Sequence, residues 1–223
     1  MRGLEVKEVR KSFGKKLILN GLSFRCQKGE IIGIFGRNGC GKSTLLKSVM
    51  GTLKVGSMEI KIDREVLSPS EVIPSQKIAY LPQEPLLPKG MKVKDVIPLF
   101  FPKGEEQDKI FYSEGVGAFD RRMVGKLSAG QRKYLELLLI AHLKHPFMLL
   151  DEPFSMVEPY YIQKIKSLLL SLKSRKGMVI TDHYYRDVLD IATRSFVIKN
   201  GKKLTVENEQ DLVIYGYLKT SEK

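Results

Sequence analysis

The chain opens with alternation. "LEVKEVRKSF" and "LILNGLSFRCQ" switch between apolar and polar residues along most of their length, with "FGKK" between them. That period of two predicts half-buried strands in a hairpin-like β region. "IIGIF" is a continuous apolar run, the pattern of a strand covered on both faces. A helix is expected from about Lys42 to Gly51, then strands at "MEIKID" and "KIAYL". From Pro82 to Lys126 prolines, glycines and charges break up short apolar pieces such as "VIPLFF". This stretch reads as a small, mostly helical lobe inserted into an α/β core. Beyond it the pattern predicts a helix from Ala129 to about Leu143, the strand "FMLL", a helix from Pro159 to about Ser174 and the strand "MVIT". A helix from about Tyr184, the strands "SFVIK" and "KLTV", and a last helix near Gln210 complete it. Strands alternating with helices predict a mostly parallel sheet flanked by helices. The domain expectation is one unit over 1–223, with 1–82 and 127–223 as the core and 83–126 as the inserted lobe.

One stretch resists this pattern. "GRNGCGKST", Gly36–Thr44, puts three glycines at the junction of a strand and a helix. Gly36, Gly41, Lys42 and Ser43 satisfy G-x-x-x-x-G-K-[ST] in the strand-then-helix context that motif requires. Glycines let the backbone curl so that successive N–H groups, through Asn38, Gly39 and on to Thr44, point at one anion. The helix N-terminus adds unpaired donors. Lys42 is then placed to reach the β- and γ-phosphates of a ligand, and the Ser43 hydroxyl to ligate Mg²⁺.

Composition and charge narrow the picture only a little. No run approaches the roughly 18 apolar residues of a membrane span; the richest stretch, "YLELLLIAHL", is interrupted by Glu136 and His142. The N-terminus lacks an apolar signal region, so no secretion signal is expected. Cys26 and Cys40 have no metal-ligand spacing and read as reduced thiols of a cytosolic protein. Net charge is +13, from 38 basic and 25 acidic residues. Scattered lysines fit a solvated basic surface; nucleic acid or an anionic membrane surface is the other reading.

A second chemical signal lies in "FMLLDEP". Asp151 and Glu152 end a predicted buried strand, at the sheet edge where α/β proteins bind ligands. Asp151 is placed to hold Mg²⁺ and Glu152 to act as general base toward water, with an acidic turn capping the Pro159 helix as the bland alternative.

With these motifs in order, the chain resembles the ATP-binding cassette (ABC) ATPases. "LSAGQ", Leu127–Gln131, is similar to that family's LSGGQ signature, and its last residue lies 20 positions before Asp151. Phe13, 23 residues before Gly36, is similar to the aromatic that stacks on adenine. Gln83 in "YLPQE" resembles the Q-loop glutamine, "SMVE" (Ser155–Glu158) the D-loop, and His183 in "ITDH" the switch histidine. The resemblance implies that two cassettes pair head to tail, Ser128, Gly130 and Gln131 of one completing the nucleotide site of the other. It implies that Gln83 ligates Mg²⁺ and positions water, and that His183 holds the γ-phosphate. Taken singly, Phe13 could be strand packing, Gln83 and Ser128 caps, and His183 a satisfied histidine near a helix start.

Within the family, "YLPQE", "LLDEPFSMVEP" and "ITDHYYRDVLDIATRSFVIKNGK" look most like the lipopolysaccharide-export and branched-chain amino acid types. Three positions depart from the pattern: Ala129 replaces the first signature glycine, Glu158 replaces the D-loop aspartate, and only 43 residues separate Gln83 from Leu127. The implied protein is an ATP-hydrolysing cytoplasmic subunit of a membrane transporter, peripheral on the inner face of the membrane. It would work as a dimer, expected to be of identical chains, docked on a separate transmembrane permease through the groove around Gln83. Nucleic acid is not expected as a partner; the alternative is a soluble ABC ATPase acting on nucleic acid or the ribosome. A binding module that has lost catalysis is a third reading, opposed by the full set of catalytic residues.

Overall fold

The computed structural model describes residues 3–218. Two sheets form the framework. β1 (Leu4–Phe13) and β2 (Lys16–Cys26) pair antiparallel, and β4 (Ser57–Ile62) and β5 (Glu65–Leu67) extend them into a four-stranded sheet ordered β2-β1-β4-β5. The second sheet has six strands. β3 (Ile31–Phe35), β6 (Ile78–Leu81), β7 (Phe147–Asp151), β8 (Gly177–Thr181), β9 (Arg194–Lys199) and β10 (Lys202–Val206) take the order β10-β9-β3-β8-β7-β6. All neighbours in it are parallel except the β10–β9 hairpin.

The continuous apolar runs behave as strands buried on both faces. In β7, Phe147 and Leu149 face one core while Met148 and Leu150 face the other. In β3, Ile32 and Ile34 join the first core, and Ile31 and Phe35 the second. The first core lies toward the four-stranded sheet and α1 (Lys42–Val49), which contributes Leu45, Leu46 and Val49. The second lies under α4 (Ala129–His142) and α5 (Pro159–Leu172).

Between β6 and α4 the chain forms α2 (Val93–Phe100), α3 (Gly104–Phe111) and short 3₁₀ turns at Val116–Ala118 and Val124–Lys126. The apolar pieces there divide. Leu87, Val96, Ile97 and Phe101 are buried in the second core, whereas Leu86 and Leu99 are exposed. Each fully buried side chain of this size contributes roughly 1.5–3 kcal/mol, so most of this segment's apolar content holds it to the core. After β8 come α6 (Tyr185–Leu189) and, past β10, α7 (Glu209–Ile214). Among the described residues, the strand absent from the sequence pattern is β5, whose residues Glu65 and Val66 are exposed at the sheet edge. Among the described residues no helix is long and apolar enough to cross a membrane.

Candidate functional site

β3 ends at Phe35, α1 begins at Lys42, and the turn between them has the backbone its glycines permit. Gly36, Gly39 and Gly41 have φ of 152°, 76° and 111°. Space demands glycine as well: a Cβ on Gly41 would lie 2.8 Å from the Ile18 side chain, and one on Gly36 would overlap the Cys40 sulfur. The result is a loop around the α1 N-terminus, where unpaired N–H groups and the helix dipole favour an anion. Lys42 is buried, and its Nζ donates to the Gly36 carbonyl at 2.8 Å. The lysine is thus folded back over its own loop.

The parallel neighbour strands deliver the carboxylates. Asp151 closes β7 and is fully buried. Its Oδ1 accepts from Ser43 Oγ (3.1 Å) and Thr181 Oγ1 (2.6 Å), and its Oδ2 from the Tyr80 hydroxyl (3.2 Å). Three hydroxyls satisfy one buried charge, as buried carboxylates require. Burial and the adjacent Asp151 push the Tyr80 phenol up, keeping it a donor.

Glu152 follows with φ 55°, left-handed for a non-glycine residue, while its N–H donates to the Thr181 carbonyl at 2.7 Å. Such a conformation costs on the order of 1–3 kcal/mol and concentrates at functional positions. Both of its oxygens are engaged: Gln83 Nε2 donates to Oε2 at 2.9 Å, and His183 Nε2 lies 3.1 Å from Oε1. Neither acid is the solvated turn that the bland reading allowed. Lys42, Ser43, Thr44, Asn38, Gly39, Gln83, Glu152 and His183 line one cavity of about 420 Å³.

The other candidates stand apart from that cavity. Phe13 ends β1 with half its surface exposed, and Lys11 Nζ lies 4.6 Å from its ring centre. Ser128 caps α4: its Oγ accepts from the Gln131 N–H (3.1 Å), and Gln131 Oε1 accepts from the Ser128 N–H (3.0 Å). This capping box uses both side chains within the helix start. At Gly130 a Cβ would overlap the Glu158 carboxylate and lie 2.8 Å from the Tyr161 ring. The missing side chain is what lets the start of α5 close against the start of α4. Ala129 opens α4 without disturbing this arrangement.

Sequence reasoning missed Asp182. It is fully buried beside His183, its Oδ2 accepts from the Phe154 N–H (2.7 Å), and its Oδ1 accepts from the Tyr184 N–H (3.0 Å). Burial, with the Glu152 charge adding to it, pushes its carboxyl up to about 6. The signal was present: Asp182 follows the apolar β8 strand as Asp151 ends the apolar run of β7. Tyr217 was also missed. Its ring packs on Phe35 (5.7 Å between centres) and edge-on to Tyr185 (6.4 Å), while Arg37 Nε donates to the Gly216 carbonyl at 2.9 Å. The segment after α7 therefore backs the glycine loop.

The donor set suits a nucleoside triphosphate with Mg²⁺. Mg²⁺ is usually held by one or two carboxylates together with substrate phosphates, and Asp151 with Ser43 supplies that share of hard oxygen. Among the described residues no group of three or more His, Cys, Asp or Glu forms a self-sufficient metal site.

Glycine loop, strand-end acids and six-stranded sheet together define a phosphate-loop nucleotide-binding protein of cassette type. The family described as "ABC transporter" matches residues 19–155. An uncharacterized ABC transporter ATP-binding protein of Rhizobium meliloti is 32% identical over 91% of this chain and 79% of its own length. The lipopolysaccharide export system ATP-binding protein LptB of Acidithiobacillus ferridurans is 28% identical over 94% of this chain and 92% of its own. A nucleotide-free ATP-binding cassette from an ABC transporter superposes with a TM-score of 0.83 at 23% identity, covering 98% of this chain and 96% of that one. The chain belongs to the ABC transporter family, as an ATP-binding subunit.

Proposed function

We propose that the chain hydrolyses Mg-ATP as half of a head-to-tail dimer and couples that cycle to a separate transmembrane subunit. The observation that carries this reading is the placement of Glu152. It lines the phosphate loop's cavity, with Gln83 on one carboxylate oxygen and His183 on the other.

Each residue then has a task set by its position. The N–H groups of Gly36–Thr44 and Lys42 Nζ bind the β- and γ-phosphates, Lys42 giving up its bond to the Gly36 carbonyl. Ser43, Asp151 and Gln83 hold Mg²⁺, which when bound neutralises charge on the phosphoryl oxygens. Glu152 accepts the proton of the attacking water, a role worth typically 10²–10⁴-fold. His183 orients Glu152 and donates to the γ-phosphate, and Phe13 stacks on the base. Ser128, Gly130 and Gln131 of a second copy close the site from the far side. Residues 83–126 act as an inserted lobe on the 1–82 and 127–223 core, with exposed Leu86 and Leu99 available to a membrane subunit. That docking would put the chain in the cytoplasm, peripheral on the inner face of the cell membrane. The similarity to LptB supports a transporter setting of this kind.

Purified chain with Mg-ATP tests the chemistry. Wild type should release phosphate, and Glu152→Gln should bind ATP equally well while turnover falls about 10²–10⁴-fold. Turnover unchanged in Glu152→Gln would contradict the general-base assignment. The partner is tested by detergent pull-down from native membranes: a stoichiometric polytopic protein is expected, and ribosomal proteins in its place would contradict the transporter reading.

A further inference from the structure

Helix α4 does more than present the Ser128 turn. Glu136 and Lys133 are three residues apart on it and therefore share a face. That face meets the loop carrying Gln83. Glu136 is fully buried, and its Oε1 accepts from the Leu86 N–H at 2.8 Å and the Leu87 N–H at 3.4 Å. Lys133 Nζ donates to the Gln83 carbonyl (3.3 Å) and the Pro82 carbonyl (3.4 Å). One helix thus holds both sides of the loop's backbone, its donors and its acceptors, on either side of the residue bonded to Glu152.

The choice of glutamate is costly. Its Oε2 is buried and has no hydrogen-bond partner among the described residues. An unpaired buried acceptor is penalised, and burial raises the Glu136 pKa while lowering that of Lys133. Apolar neighbours on the helix, Leu135 and Leu137–Leu139, show what packing alone selects. A carboxylate kept there at that cost is explained by what it grips.

We infer that Glu136 and Lys133 are positioning residues, tying the Gln83 loop to α4 so that displacement of the Ser128 end of the helix shifts Gln83 against Glu152 in the same chain. This rests on the hydrolytic reading above. A nucleotide captured by Ser128 and Gly130 for one copy would then set the catalytic geometry of the copy that supplied them. The two sites of a pair would be coupled through α4.

The test compares Glu136→Ala, Glu136→Gln and Lys133→Met in the full chain, reading kcat, KM for ATP and amide hydrogen exchange at Leu86 and Leu87. Glu136→Ala should lose about tenfold or more in kcat with KM within about twofold, and its Leu86 and Leu87 amides should exchange faster. Glu136→Gln keeps an acceptor oxygen and should recover most of kcat and of the protection. Lys133→Met should lower kcat severalfold with KM unchanged. Should Glu136→Ala fail to fold, the other two variants carry the test. Wild-type kcat in Lys133→Met with unchanged exchange in Glu136→Ala would overturn the inference, as would losses confined to KM or to melting temperature. If the wild-type chain itself releases no phosphate, the hydrolytic reading falls, and the exchange rates still report whether the tie exists.

Discussion

Around the end of β7 the polar atoms are matched within one chain. Asp151 accepts from Ser43, Thr181 and Tyr80, and Glu152 is held from both sides by Gln83 and His183. Around the start of α4 the arrangement differs. Ser128 and Gln131 cap each other, Gly130 lies under Glu158 and Tyr161, and none of the three lines the cavity of Lys42 and Glu152. Phe13 is likewise outside that cavity and 51% exposed. In the first region each buried carboxyl is hydrogen-bonded, as burial of a polar group requires. The second is a helix terminus capped by its own side chains and outside the cavity of Glu152. In the proposed head-to-tail pair, this contrast is how one chain would carry two walls of a site without closing them on each other.

The strongest way to break the contrast is Lys42→Ala. Removing the one buried cation of the glycine loop should weaken ATP binding about a hundredfold or more, the scale of a charge-assisted contact to a polyphosphate. Equal affinity by fluorescence titration would mean the loop is not the phosphate site. The same substitution should leave the α4 capping box intact, since neither Ser128 nor Gln131 lines the cavity of Lys42.

A smaller effect tests the burial of the acids. Burial raises the Asp182 carboxyl to about 6 from the ordinary aspartate value of 3.8. The folded chain therefore holds this proton to higher pH than the unfolded chain does. The resulting stabilisation is complete below pH about 4 and is lost as pH rises through about 6. Asp182→Asn lacks this dependence. The stability of wild type relative to the variant should fall by on the order of 2–3 kcal/mol between pH 4 and pH 7. Denaturant melts at both pH values measure it, and parallel curves would contradict the burial argument.

The smallest effect is expected at Glu158→Asp. Shortening this exposed side chain withdraws its carboxylate from Gly130 but touches nothing around Glu152. ATP affinity should be unchanged, and turnover should shift about two- to fivefold. A change in affinity would show that the two regions are not separable within one chain.

The sequence exposed most of this where local physics leaves one solution. Gly36 and Gly41 take positive φ in a crowded turn that favours glycine, and "IIGIF" and "FMLL" are short continuous apolar runs of strand length, which fit strands covered on both faces. β5 was invisible because three residues, two of them exposed, carry no period. Asp182 was hidden by His183: one residue with recognisable chemistry drew attention from a neighbour whose role is to accept backbone N–H groups from two directions. Tyr80, Thr181 and Tyr217 belong to the site only through contacts between segments distant in sequence, which no local pattern encodes. The same holds for the grip of Glu136 on Leu86, fifty residues away.

The central claim is that a working site takes its phosphate loop from one chain and its Ser128 turn from another. Mixing two inactive variants tests it most directly. Lys42→Ala disables one wall, and Ser128→Arg blocks the other. In a head-to-tail pair of one variant with the other, both lesions fall in one site, and the second site is intact. The account predicts that the mixture regains about a quarter of wild-type ATPase activity, since random pairing makes half the dimers mixed and each has one good site of two. A mixture no more active than its components would contradict it.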